Sequence, residues 1–206
     1  HKIYAGLIDA YELIGNEQAL KVVTKLADWA KKGTDNLNED QFEKMLYCEH
    51  GGMCEAMANL YKITKNQDYL NLSIRFIHKE TINPLIDLKD ELEGKHANTQ
   101  IPKVIGVATL YEITGKEEYK EAALKGMNAV KSVISEGRWE DFETYWSCCR
   151  IGTPDYIGKK VSRNNMYKQC NFSMFWTAEA LLECYRITND DEYLKLGQRV
   201  LDELLM

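Results

Sequence analysis

Three short segments hold the residue types from which a reaction site could be built. In Tyr47-Cys48-Glu49-His50-Gly51-Gly52-Met53, a carboxylate and an imidazole stand beside two glycines that allow close backbone approach. In Gly94-Lys95-His96-Ala97-Asn98-Thr99-Gln100-Ile101-Pro102, the side chains of His96, Asn98 and Gln100 offer donors and acceptors suited to sugar hydroxyls. Pro102 fits the first turn of a helix, with Thr99 or Asn98 as its cap. For both segments helix capping is the simpler reading, and two such clusters at equivalent places favour a shared pocket over it.

The third segment is Trp146-Ser147-Cys148-Cys149-Arg150. Adjacent cysteines do not both fit one helical core face, and thiolates can bind zinc or attack as nucleophiles. Cys170, with Glu143 or another carboxylate, could complete a thiolate-rich site with Cys148 and Cys149. No repeated C-x-x-C spacing is present, so structural cysteines or a disulfide are the competing reading. Cys54 and Cys184 sit among apolar helical residues and read as small buried hydrophobes. Of the aromatics, Tyr145 and Trp146 suit a flat sugar platform, whereas Phe172, Phe175 and Trp176 read as core.

These segments need elements to hold them, and the chain supplies a repeat. LIDAYELIGNEQAL at 7–20, MANLYKITKNQDYL at 57–70, VATLYEITGKEEYK at 107–120 and LLECYRITNDDEYL at 181–194 share one plan. Tyr11, Tyr61 and Tyr111 follow at intervals of 50 residues, and Tyr185 comes after a longer one of 74. A helix ends after each tyrosine, at Gly15, Lys65, Gly115 or Asn189, and an acidic or amide-rich step opens the next. Helical periodicity places the second helices at 17–32, 67–79, 117–134 and 191–205. Stacked hairpins of this kind form an open solenoid or a closed ring with inner and outer helices.

The fold class expected is therefore all-α, with repeated antiparallel hairpins in a partial or reduced (α/α)6-type toroid. The links are the polar 33–38, the stretch 81–95 mixing loop with a short helix, and a long segment at about 135–169 that reads as a functional loop. Residues 1–206 fit a single domain or a fragment of one. A net charge of −6 without a Lys/Arg stripe argues against nucleic acid and suits a neutral or cationic small ligand. No run is long and apolar enough to span a bilayer. No signal peptide precedes His1, and a processed or truncated product would look the same.

Residues 1–118 resemble the bacterial β-L-arabinofuranosidase family of glycoside hydrolases. The resemblance rests on His1-Lys2-Ile3-Tyr4-Ala5-Gly6-Leu7-Ile8-Asp9-Ala10-Tyr11, on Glu49-His50-Gly51-Gly52-Met53 with Glu55-Ala56, and on the segment from Gly94 to Lys103. It implies a six-hairpin toroid acting on plant-type glycans, with His50 and His96 lining the sugar subsite and Gln100 or Asn98 assisting. It further implies a cysteine nucleophile held by zinc, which puts Cys149 forward by analogy, and a secreted protein of the bacterial periplasm or exterior. The second half departs from that pattern. Lys168 stands where a carboxylate is expected before Cys170-Asn171, Cys148-Cys149 precedes that element instead of following it, and no glycine-rich segment with an acid/base glutamate follows the third hairpin.

Two functions follow. One is a retaining hydrolase of arabinofuranosides, with acid and nucleophile drawn from Glu49, Glu140, Glu143 and Cys149. The other is a noncatalytic carbohydrate-binding or scaffold protein that keeps the hairpins and the His50/His96 pocket.

Overall fold

A computed structural model describes residues 1–47, 50–87, 97–135 and 171–205. The described residues contain ten helices and no strand: α1 (Lys2–Ile14), α2 (Glu17–Thr34), α3 (Glu39–Leu46), α4 (Met53–Thr64), α5 (Gln67–Arg75), α6 (Lys79–Ile86), α7 (Ala97–Thr114), α8 (Glu117–Ser135), α9 (Asn171–Thr188) and α10 (Asp191–Leu205). None of them is long and apolar enough to cross a membrane.

The repeated motif is a helix-to-helix turn with one geometry. Gly15, Lys65, Gly115 and Asn189 all take left-handed backbone angles, with φ of 68, 57, 68 and 56°. The amide of each donates to the carbonyl oxygen of its landmark tyrosine, at 2.9, 2.8, 2.7 and 2.7 Å, which closes the first helix. Asn16, Asn66 and Asp190 then cap the next helix by accepting from the backbone amides of Ala19, Asp68 and Glu192.

This short turn folds each second helix back on its first, giving the pairs α1–α2, α4–α5, α7–α8 and α9–α10. The first helices line up side by side, α1 on α4, α4 on α7 and α7 on α9, while α2 touches α5 and α8 touches α10. Close approach of α4 and α7 depends on Gly106, where a Cβ would come within 2.9 Å of the Cys54 side chain. Tyr69 and Tyr193 tie neighbouring second helices through hydrogen bonds of 2.8 Å to Asp28 and 3.1 Å to Asn128.

Several expectations shift in detail. The helix expected over 67–79 stops at Arg75, and a separate α6 starts after His78 and runs through Pro84. The link expected at 33–38 shortens, because α2 continues to Thr34, whose hydroxyl donates back to the Ala30 carbonyl. Pro102 is not in a first turn capped by Asn98 or Thr99. Both lie inside α7, which already begins at Ala97. Cys54 and Cys184 are buried as expected, and burial pushes both thiols up to about 12.

Candidate functional site

Aligning the hairpins on their tyrosines sets residues of the first helices at common levels. Ala5, Glu55, Ile105 and Glu179 each stand six residues before the tyrosine, and Asp9, Asn59, Thr109 and Glu183 stand two before it. Glu12, Lys62, Glu112 and Arg186 follow it directly. Spacings of four and three residues put each set of three on one helical stripe. The stripes of α1, α4 and α9 meet in a pocket of about 170 Å³, lined by His1, Ala5, Ile8, Asp9, Glu12, Gly52, Glu55, Ala56, Asn59, Trp176 and Glu179.

The mouth of this pocket is built by the two-glycine turn ahead of α4. Gly51 has φ of 56°, and its missing side chain is replaced by the His1 ring, into which a Cβ would collide. A Cβ on Gly52 would come within 3.3 Å of Pro102 of α7. Trp176 of α9 stands across from this turn, its ring centroid 5.7 Å from that of His1. The expectation that Phe175 is core fails, since it is 62% exposed, whereas Trp176 packs half-buried against the core and also forms a wall of the pocket.

Glu55 has the most perturbed carboxyl here. Burial, followed by repulsion from Glu179, Glu183 and Asp9, pushes it up to about 8, against a smaller opposing pull from Lys62. Its Oε1 accepts a 3.4 Å hydrogen bond from Asn59 Nδ2. The Glu179 carboxyl is raised as well, by burial in the pocket and by Glu183 and Asp9, although much of that residue's surface is open. One turn further along, charges close the stripe. Lys62 reaches Glu112 at 3.3 Å, and Arg186 reaches both Glu112 and Glu183 at 2.7 Å.

His50 and Gln100 belong to a second polar cluster and are not among the residues lining this pocket. His50 Nδ1 is 3.0 Å from the Leu46 carbonyl oxygen, and its ring packs on Phe76 and edge-on to His78. The buried Lys103 ammonium donates to His78 Nδ1 at 2.7 Å and to Gln100 Oε1 at 3.0 Å. Thr81 also donates to Gln100 Oε1, and His78 Nε2 faces Glu43 at 3.7 Å. His50 and Gln100 are thus brought to one cluster, with His78 and Lys103 between them.

The other residues singled out in the sequence, Glu49, Cys48, His96, Glu140, Glu143, Tyr145, Trp146, Cys148, Cys149 and Cys170, lie outside the described residues, as does the side chain of Asn98. Among the described residues no three His, Cys, Asp or Glu side chains form a metal-binding group. Cys54 and Cys184, held as buried thiols, do not fit a zinc thiolate or a nucleophile.

Residues 1–134 match the sequence model of the β-L-arabinofuranosidase GH127 catalytic domain. The chain belongs to this glycoside hydrolase family. The match covers the first three hairpins and the two-glycine turn, and so every residue of the pocket contributed by α1 and α4. Trp176 and Glu179, on α9, come from outside the matched part of the arabinofuranosidase domain. No curated protein matches the chain.

Reasoning from residue types alone passed over Glu55, Glu179 and Trp176 as site residues. The usable signal was the repeat itself. Glu55 and Glu179 occupy the same repeat position, and each is a carboxylate set among the small apolar residues of a first helix.

Proposed function

We propose that the chain is a β-L-arabinofuranosidase-type glycoside hydrolase acting on plant-type glycans, with its sugar site in the pocket between α1, α4 and α9. The observation that carries this reading is the Glu55 carboxyl, which burial and its acidic neighbours keep protonated at neutral pH inside a pocket walled by an aromatic ring. A neutral carboxyl beside other carboxylates is the arrangement that separates a proton donor from groups able to stabilise positive charge.

In this reading Glu55 gives its proton to the glycosidic oxygen as the bond to the anomeric carbon breaks, and a water then adds to that carbon and returns a proton to the Glu55 carboxylate. Glu179 and Asp9 face the positive charge that develops on the sugar, and the Trp176 face adds to their attraction. Asn59, bonded to Glu55 Oε1, holds the carboxyl in place for the transfer. The His50–His78–Lys103–Gln100 cluster braces the turn that forms the mouth. His96 as a sugar ligand, zinc at Cys148, Cys149 and Cys170, closure of the hairpins into a six-hairpin toroid, and secretion extend the same reading, whereas His50 takes the bracing role instead of contacting the sugar.

Hydrolysis of p-nitrophenyl β-L-arabinofuranoside tests it. The chain should release nitrophenol, and Glu55→Gln should lower kcat by about 100-fold or more, as loss of a general acid does. An unchanged rate in that variant would remove Glu55 from the mechanism. Binding of arabinose without turnover would favour the noncatalytic carbohydrate-binding protein.

A further inference from the structure

The repeat does not call for a lysine at Lys103. Eight residues before the landmark tyrosine, where α7 has Lys103, α4 has Met53 and α9 has Thr177, and all three positions are buried. Lys103 itself is only 3% exposed. A buried ammonium needs acceptors, and here they are His78 Nδ1 at 2.7 Å and Gln100 Oε1 at 3.0 Å. Because Nδ1 accepts, the neutral His78 ring carries its hydrogen on Nε2, towards Glu43 of α3 at 3.7 Å and Glu80 of α6 at 4.0 Å. The bond joins α7 to the residue that opens α6. The His78 ring in turn meets the His50 ring edge-on at 5.6 Å, and His50 directly precedes Gly51 and Gly52.

We infer that Lys103 and His78 hold the two-glycine turn in place at the pocket mouth only while the pair carries a single positive charge, so that protonation of His78 releases it. An imidazolium has hydrogens on both ring nitrogens and no lone pair left to accept from Lys103. The same proton sets two cations 2.7 Å apart where both side chains are buried. Glu43 and Glu80 pull the other way. They stand farther off, and their side chains are 30% and 57% exposed, so solvent weakens their hold. Among the described residues, Thr81 and Gln100 at the pair are neutral, and His50 is the further titratable ring against His78. Imidazole is the side chain that ordinarily changes charge between pH 5 and 8, which places the release on the acid side of neutrality. The inference rests on the cluster bracing the turn, and its bearing on hydrolysis rests on the pocket being the sugar site.

The experiment follows the histidine rings and the Trp176 indole in nitrogen–proton spectra of the chain between pH 8 and 5. His78→Gln keeps an acceptor for Lys103 but takes up no proton, and it identifies the His78 signals. Trp176→Phe identifies the indole, and Lys103→Met puts in the residue that Met53 supplies one hairpin earlier. In the wild type His78 should show a bare Nδ1 at pH 8 and bind its added proton at least about ten-fold more weakly than in Lys103→Met. The Trp176 signal, across the mouth from the turn, should shift as that proton binds, and this shift should be missing from His78→Gln. Glu55 titrates near the same range, and the comparison with His78→Gln removes its part. A hydrogen on Nδ1 at pH 8, or equal proton binding in the wild type and Lys103→Met, would overturn the shared charge. An identical Trp176 titration in the wild type and His78→Gln would overturn release of the turn. The tautomer and the His78→Gln comparison decide the matter even if Lys103→Met does not fold. None of these readouts uses a sugar, so they stand apart from hydrolysis of the arabinofuranoside, whose failure would remove the sugar site and leave the pair's effect on the turn.

Discussion

At Glu55 the sequence shows only a carboxylate within MCEAMANL, and the fold decides what it does. Its ordinary value is 4.5, and the folded chain raises it to about 8 by burial and by Glu179, Glu183 and Asp9. Because the folded state holds this proton more tightly, the contribution to stability is complete below about pH 4.5 and is lost as pH rises through about 8. Glu55→Gln removes the titration. The variant should match the wild type within about 1 kcal/mol at pH 5 and be roughly 1–3 kcal/mol more stable at pH 9, less than full linkage because Glu55 keeps some contact with water. Urea unfolding at pH 5, 7 and 9 reads this directly, and parallel stability curves for the two proteins would show that the pocket does not hold the proton. Trp176 makes the complementary point. Its place among helically spaced aromatics argued for the core, against which it packs, but periodicity says which residues share a face and not whether that face also meets a cavity.

The helical hairpin was legible because its signals are local. A tyrosine carbonyl, a residue able to turn left-handed and an Asn or Asp cap lie within a few positions of one another, and their geometry recurs wherever the letters do. Short α3 and the break between α5 and α6 carry no such repeat. α3 opens on a local Asn38–Gln41 capping box, while contacts distant in sequence hold the region of the α5–α6 break, with the Arg75 guanidinium donating to the Thr34 and Leu37 carbonyls and the Glu80 amide donating to Glu43. The turns also differ in quality. Gly15 and Gly115 take the left-handed backbone without steric cost, whereas Lys65 holds it against its own Cβ. Lys65→Gly should therefore stabilise the chain by about 0.5–1 kcal/mol, and Gly115→Ala should destabilise it by about 1 kcal/mol. Thermal unfolding of the pair measures both signs. A loss of stability in Lys65→Gly would mean that the Lys65 side chain, which lies over the Tyr61 ring, outweighs the backbone strain.

Across the whole molecule, the order of the hairpins is written in charge as well as in apolar packing. The residue after each landmark tyrosine reads Glu12, Lys62, Glu112 and Arg186, alternating in sign from one first helix to the next. Glu112 on α7 is the centre of the observed network, paired with Lys62 of α4 on one side and Arg186 of α9 on the other. The alternation is visible once the repeats are aligned, but its meaning depends on which helices become neighbours, and that requires the fold. If it specifies adjacency, Glu112→Lys sets three cations side by side and should cost more than the roughly 0.2–1 kcal/mol of an ordinary exposed pair, while Glu112→Gln should cost about 1 kcal/mol through loss of both partners. Lys62→Glu also destabilises when made alone, because it faces Glu112. Combined with Glu112→Lys it restores one opposite-charge pair, so the double variant should be more stable than the sum of the single changes by about 0.5 kcal/mol or more. Denaturant unfolding of the four proteins at low salt yields that coupling, which should shrink in about 1 M salt as screening takes effect. Additive costs, or a coupling indifferent to salt, would mean that the charges are separately solvated and that apolar faces alone order the hairpins.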